Sequence, residues 1–344
     1  MLKKLFLLTL LLIFPFFICS CMKNNQEVIT FSSWGSVTET KILNKIITDF
    51  EKENPNIKIN FMHIPQNYFQ KLHLLFASST EPDVVFINNL YIPFYADKLE
   101  DLSTMIEFDK YYPQSIKAMS YDKKLLAVPR DISNFVLYYN KSIVKEPDCS
   151  NLSFEQFDGM LKKYTDKNHY GIGIERDIFY AEPYILTLGY DKGIEYYKNL
   201  EGKYAPNPAQ IGSLTLAQMF IQGKLAFYMS GRWMYPKISE TKNFPFGIIV
   251  FPGFISIDAS GWAISKNSKH KDSAKLFIKY LSSKKSIDYF TTTGLIVPAR
   301  KDSAQKLNNK EEKAFLDAIE KSKILQRDKN YPKKRDKMNK EIFN

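Results

Sequence analysis

The sequence predicts an α/β fold, a parallel sheet with helices on both faces, and two observations carry that expectation. Strand-like and helix-like segments alternate from residue 28 onward. The chain has 344 residues, which at roughly 150 residues per domain suggests two lobes. With 44% hydrophobic and 15% aromatic residues, burial can offset the ordering entropy, so a disordered chain is excluded. Three cysteines form neither a disulfide framework nor a Cys/His grouping for zinc.

Val28 to Phe31 reads as the first strand. Ser36-Val37-Thr38-Glu39 reads as a capping box, opening a helix with Ile42, Leu43, Ile46, Ile47 and Phe50 at helical spacing. A second strand, Ile57 to Phe61, leads through Pro65 to a helix carrying Phe69, Leu72, Leu75 and Phe76; Asp83 to Ile87 is the third strand. Ligands of such sheets bind at the carboxyl ends of the strands, which puts Ser32 to Gly35, His63 to Gln66 and Asn88-Asn89 on one rim. Beyond Leu125 to Pro129 the alternation resumes. Phe135 to Tyr139 is extended, Ser153-Phe-Glu-Gln156 is a second capping box, and Tyr170 to Ile174 is a short strand. Leu214 to Ile221 reads as helix, while Leu225 to Met229, Phe246 to Phe251 and Gly261 to Ser265 read as strands. Asp272 to Leu281 and Ser286 to Thr292 are helical, and no internal repeat of fixed period is visible.

The N-terminus is a separate signal. Lys3 and Lys4 precede an apolar stretch from Leu5 to Cys19, the charged and apolar regions of a secretory signal peptide, too short for a membrane span of about 20 residues. Ile18-Cys19-Ser20-Cys21 resembles the lipobox of bacterial lipoproteins, with Cys19 a departure at its second position. That resemblance implies cleavage after residue 20, acylation of Cys21 and a polar tether over 21–27, with an ordinary cleaved signal peptide as the alternative. Losing Lys3 and Lys4 takes the net charge from +11 to +9, which in an exported protein favours an anionic membrane surface over nucleic acid. Pro332-Lys333-Lys334-Arg335 reads as a solvated helix face, and Cys149 as an unpaired thiol.

Five segments then carry a family resemblance. They are Glu81 to Val85; Leu126-Ala127-Val128-Pro129 running to Leu137-Tyr138-Tyr139-Asn140-Lys141; Phe220 to Trp233 with its Gly223-Lys224 and Gly231-Arg232-Trp233; Ser260 to Lys266; and Ala274 to Leu281 ending near Val297-Pro298. In order and spacing they resemble the extracytoplasmic solute-binding proteins of ABC importers, in the carbohydrate-binding group of the maltose- and glycerol-3-phosphate-binding proteins. The resemblance implies a two-lobed periplasmic-binding-protein fold, type II-like, with the ligand cleft between lobes joined by hinge strands. It places crossings near Asp131 to Val136 and near Ile257 to Gly261. The implied lobes are 28–131 with 260–300, and 132–259 with 301–344. Two departures stand out, a short segment between Asn140 and Phe220 and a reduced tail after Arg300.

Catalytic patterns are sparse. The four histidines, His63, His73, His169 and His270, are dispersed, no Gly-x-Ser-x-Gly elbow exists, and Gly223-Lys224 lacks the rest of a phosphate loop. No metal, cofactor or catalytic residue is expected. Asp131, Glu175 and Glu182 offer carboxylates for glycoside hydrolysis, but sequence alone places no two of them across a bond.

The rims offer aromatic and hydrogen-bonding groups instead. Trp34, Trp233 and Trp262 are the only tryptophans and stand beside Gly35, Gly231 and Gly261. An indole suits stacking on the less polar face of a sugar ring, and glycine permits close backbone approach; core packing is the alternative, above all for Trp262. Arg130 and Arg232 can present a donor fork to hydroxyls, a carboxylate or a phosphate, or else form ion pairs. Asp131 can accept two hydroxyl hydrogen bonds, and of Asn88 and Asn89 one reads as a ligand group and the other as a turn residue. The expected ligand-binding set is thus Trp34, Gly35, Asn88, Asn89, Arg130, Asp131, Arg232, Trp233, Gly261 and Trp262; Tyr180, Glu182 and Tyr184 are weaker candidates.

The expected function is capture of a sugar, oligosaccharide, polyol or glycerophosphate-type solute by hinged closure, for delivery to permease subunits, by a monomer anchored through lipid to the outer face of the cytoplasmic membrane. An extracellular carbohydrate-active hydrolase, or a lipoprotein with a sensory or structural role and no transported solute, are the alternatives.

Overall fold

The computed structural model describes residues 26–145, 152–325 and 327–343. Cys21, the signal peptide, most of the tether and Cys149 lie outside the described residues.

Two sheets organise the chain. The first has five strands in the order β2-β1-β3-β12-β6, formed by β1 (Glu27–Ser33), β2 (Ile57–His63), β3 (Val84–Asn88), β6 (Val128–Ser133) and β12 (Asp258–Ile264). The second has four strands in the order β10-β7-β9-β8, from β7 (Val136–Asn140), β8 (Tyr170–Gly173), β9 (Leu225–Ser230) and β10 (Phe246–Val250). Two minor ladders complete the set: the hairpin of β4 (Ser120–Tyr121) with β5 (Lys124–Leu125), and β11 (Ile255–Ser256) beside β13 (Ser322–Lys323).

The sheets are mixed rather than parallel, which corrects the sequence expectation. Strands β1, β2 and β3 run parallel, but β12 enters between β3 and β6 antiparallel to both. The physical reason is connectivity. The chain leaves the first sheet at Ser133 and starts the second at Val136, so β12, arriving from the second sheet, runs back the other way. In the second sheet β7 is antiparallel to β9 and β10, and only β8 and β9 run parallel.

Local chemistry accounts for the helices that flank the first sheet. The helix Val37–Glu53 buries Ile42, Leu43, Ile46, Ile47 and Phe50 against it, with Ser36 accepting from the Glu39 amide at its start. Only half of the expected capping box forms there, because the Glu39 side chain turns away to a cation. At Ser153 and Gln156 the box is complete. Every residue of β7 and of β9 is buried, as a strand covered on both faces requires.

The tail after Arg300 makes a further crossing. Helix Lys310–Glu320 packs on β10, β13 pairs with β11, and helix Tyr331–Phe343 packs on helices Ile178–Leu188 and Tyr190–Leu200. Within that last helix Lys333 and Lys334 are exposed, but Arg335 is not part of a solvated face: its Nη2 donates to Asp177 Oδ2 at 2.8 Å.

Candidate functional site

Where the chain crosses between sheets, the strand ends bring polar residues side by side. Ser260 of β12 pairs with Asn88 of β3 on one side and with Asp131 of β6 on the other, and Asp258 pairs with Ser133. A break in register follows at once. Ser260 opposes Asp131 while Gly261 opposes Pro129, so Arg130 is the extra residue of a β-bulge, a device that re-aims a side chain at the end of a ladder. Proline is tolerated at such an irregularity because it has no amide to donate.

These residues line a cavity of about 230 Å³ between the two sheets. Trp34, just beyond β1, and Trp233, in the turn Arg232–Met234 after β9, both line it, as does Phe179. Trp34 rests against Phe86 (ring centroids 4.3 Å), Tyr68 (4.9 Å) and Phe69 (5.3 Å), and stays half-buried. Trp233 is also half-buried, 6.0 Å from the ring of Phe135.

Arg130 lies between the rings of Phe86 (4.2 Å) and Phe290 (5.0 Å). Its Nε donates to Asp131 Oδ2 at 2.7 Å and its Nη1 to Glu39. That carboxylate is reached because Gly35, at φ +143°, has no Cβ; one there would lie 2.6 Å from Glu39 Oε2. Asn88 donates from Nδ2 to Asp258 and, at 3.2 Å, to Ser260 Oγ. Burial raises the Asp258 carboxyl from 3.8 to about 6, with the neighbouring Asp131 and Glu182 charges adding to the rise and the Asn88 hydrogen bond and Arg335 opposing it. Burial also raises Asp131, against the pull of Arg130.

Of the expected set, Trp34, Asn88, Arg130, Asp131 and Trp233 line this cavity, and Gly35 adjoins it through Glu39. Four expectations are corrected. Trp262 has no exposed surface and sits in the core near Phe86 and Phe290, because it faces the interior of the sheet rather than its end. Gly261 serves strand packing, since a Cβ there would lie 2.2 Å from the Val128 carbonyl oxygen. Arg232 is fully buried and donates to Glu312 at 2.7 Å, beside the rings of Tyr235 and Phe315. Asn89 turns to the crossing segment, donating to the Ile257 carbonyl and accepting from the Ala259 amide, both at 3.2 Å.

The weaker candidates resolve similarly. Tyr184 is core, Tyr180 packs on Phe135 and Phe179, and Glu182 accepts from Tyr331 at 2.7 Å and from Arg327. Glu182 is thus tied to the tail. The expected rim includes His63, whose Nε2 lies 3.1 Å from the Gly35 carbonyl, but neither Pro65 nor Gln66 lines the cavity. Sequence reasoning missed Glu39, Phe179, Asp258 and Ser260. Starting the strand at Gly261 rather than Asp258 hid the last two, and a polar residue two positions before a buried strand was the available signal.

No group of three or more His, Cys, Asp or Glu suited to a metal ion occurs among the described residues. Nor is any helix among them long and apolar enough to cross a membrane.

Comparison with known proteins agrees with this architecture. A family model described as bacterial extracellular solute-binding protein matches residues 34–287. The galactooligosaccharide-binding protein of Bacillus subtilis (strain 168) is 23% identical over 308 residues, covering 78% of this chain and 72% of its own. The maltodextrin-binding protein MdxE of the same organism is 24% identical over 338 residues, covering 84% and 78%. Among solved structures, the ABC substrate-binding protein Lmo0181 from Listeria monocytogenes, in complex with cycloalternan, matches with a TM-score of 0.81 at 22% identity over 92% of each chain. The GacH receptor of Streptomyces glaucescens, determined unliganded and with acarbose, matches at 0.79 and 19% identity, also over 92% of each. The structural matches establish a two-lobed binding-protein fold for this chain.

Proposed function

Since this chain belongs to the bacterial extracellular solute-binding protein family, we propose that it is the extracytoplasmic capture subunit of an ABC importer and that its solute is a carbohydrate, a sugar, oligosaccharide or sugar-like polyol. The observation that carries the reading is one cavity lined by both Trp34 and Trp233 together with the paired row Asn88, Ser260 and Asp131. Stacking faces beside aligned acceptors and donors match a ring that is apolar on its faces and hydroxylated at its edge. The names of the relatives, binding proteins for galactooligosaccharide and maltodextrin, support the same class.

The lobes in this reading are 28–131 with 260–300, and 132–259 with 301–344, and they close on the solute as a hinge. Bound solute shifts the equilibrium by preferring the closed state, and the permease subunits receive that state. The mature protein is a monomer held to the outer face of the cytoplasmic membrane by lipid on Cys21, so Cys21→Ala releases it from the membrane fraction.

The deciding experiment is a thermal-shift screen of the mature protein against sugars, oligosaccharides and polyols. A solute at 100 times its dissociation constant adds about 2.7 kcal/mol of stability. A shift with a carbohydrate, reduced in Trp233→Ala, supports the proposal, and a screen in which no carbohydrate shifts the melting temperature rejects it.

A further inference from the structure

The cavity between Trp34 and Trp233 is lined by an uneven set of charges. Among the described residues its ionisable lining groups are Glu39, Asp131, Asp258 and the single cation Arg130. That cation is already engaged by both Glu39 and Asp131 and is sandwiched by two phenylalanine rings. Among the described residues Asp258 has no cationic hydrogen-bond partner; the donor it receives is the neutral amide of Asn88. Two arginines of the tail are engaged elsewhere, Arg335 with Asp177 at 2.8 Å and Arg327 with Glu182. The lining therefore carries more carboxylate than cation, and the surplus is centred on Asp258.

We infer that Asp258 selects solutes by charge, so that the cleft takes an amine-bearing sugar ahead of its neutral counterpart and rejects sugar phosphates and sugar acids. This inference rests on the carbohydrate reading; the cavity and its tryptophans define the site, and the acids decide which ring it accepts. An ammonium group beside Asp258 supplies the missing cation in a partly desolvated setting, where the attraction exceeds that in bulk water. A neutral ring can still donate its hydroxyls to Asp258 and Asp131, so it is accepted without that added term. A phosphate or carboxylate on the ring would meet like charge, with Arg130 already committed elsewhere, and like-charge juxtaposition is strongly disfavoured.

The inference is tested by calorimetry on the mature protein near neutral pH. The probes are glucose- and galactose-based sugars of one to four rings, each as a neutral, an amine-bearing and a phosphorylated or uronic member. In wild type the amine-bearing member of a bound set should bind about tenfold tighter than the neutral one, and the anionic member should give no measurable heat. Asp258→Asn should abolish the preference, so that the amine-bearing and neutral members bind that variant with equal affinity. If that variant folds poorly, the wild-type ranking of the three charge classes decides by itself. An anionic sugar binding as tightly as its neutral parent overturns the inference, as does an amine with no advantage or a variant that weakens both alike; in each case the carbohydrate reading stands. Silence from every member of every set rejects the carbohydrate reading and this inference together.

Discussion

Strand β12 has two ends that live in different surroundings. At Trp262 it is enclosed: the indole has no exposed surface, with the rings of Phe86 and Phe290 at 6.1 and 6.5 Å. At Asp258, four residues earlier, the same strand ends at the inter-lobe cavity, and a carboxyl is held there at about 6. The difference teaches where this fold can carry function. A strand interior, hydrogen-bonded on both edges, rewards apolar bulk, whereas the strand end keeps polar groups at some cost to stability because a solute can complete them. The three tryptophans divide along the same line, Trp262 inside the sheet and Trp34 and Trp233 beyond strand ends.

The largest effect that can break this comparison is at the enclosed end. Trp262→Ala should destabilise the apo protein by about 3–5 kcal/mol through the cavity left behind, while solute affinity of the folded fraction stays within a few-fold of wild type. Denaturant unfolding and calorimetry measure the two terms separately. A large loss of affinity with little loss of stability would move Trp262 back to the solute.

At the open end the sign reverses. The folded-state value of Asp258, about 6, lies above the unfolded value of 3.8, so ionising it costs stability. The cost is fully present above about pH 6, falls away as pH drops from 6 towards 3.8, and is gone below that. Asp258→Asn should therefore stabilise the apo protein by about 2–3 kcal/mol at pH 7 and by nearly nothing at pH 4. Burial sets this behaviour first, with the Asn88 hydrogen bond and the charges of Asp131, Arg335 and Glu182 modifying it. Melting curves of both proteins across that range check it, and a gain equal at both pH values would contradict it.

How much of this was legible in the sequence follows the same division. Strands β1 to β3 and the helices between them were legible because their apolar residues repeat at strand or helix period, as in Ile42 to Phe50, whereas β6 was not read as a strand. The polar row was legible only in part. Asn88 was found because it ends the third strand and Asp131 because the family resemblance puts a crossing there, but Asp258 and Ser260 belong to a strand whose polar start breaks the apolar pattern. Glu39 looked like half of a capping box, since spacing cannot reveal that Gly35 frees its side chain to reach Arg130, which is 91 residues away in sequence. Arg232 and Trp262 failed for the opposite reason. Burial depends on partners distant in sequence, Glu312 for the arginine and Phe290 for the indole, and neither neighbourhood announces them.

Trp233 sharpens the comparison through binding rather than folding. It projects from a turn, packs near a single ring, Phe135, and lines the cavity. Trp233→Ala should weaken carbohydrate affinity by about 2 kcal/mol, some thirtyfold, with a smaller loss of apo stability. Calorimetry and thermal melts on one variant separate the terms, and an unchanged affinity would remove Trp233 from the site.

The smallest effect is expected at Trp34, which stands between the two extremes. Its indole touches three aromatic neighbours, Phe86, Tyr68 and Phe69, yet still lines the cavity. Its ring is therefore held by more aromatic neighbours than that of Trp233. Trp34→Ala should cost about 0.5–1.5 kcal/mol of affinity, two- to tenfold, together with a loss of stability greater than that of Trp233→Ala and less than that of Trp262→Ala. Trp34→Phe preserves the packing against Phe86 better than alanine does, so it should recover more of the stability than of the affinity. If the three alanine variants fall instead in another order of stability, with Trp34 below Trp233, the aromatic cluster behind Trp34 contributes little, and its position at the cavity wall is set by the backbone at Gly35 rather than by its neighbours.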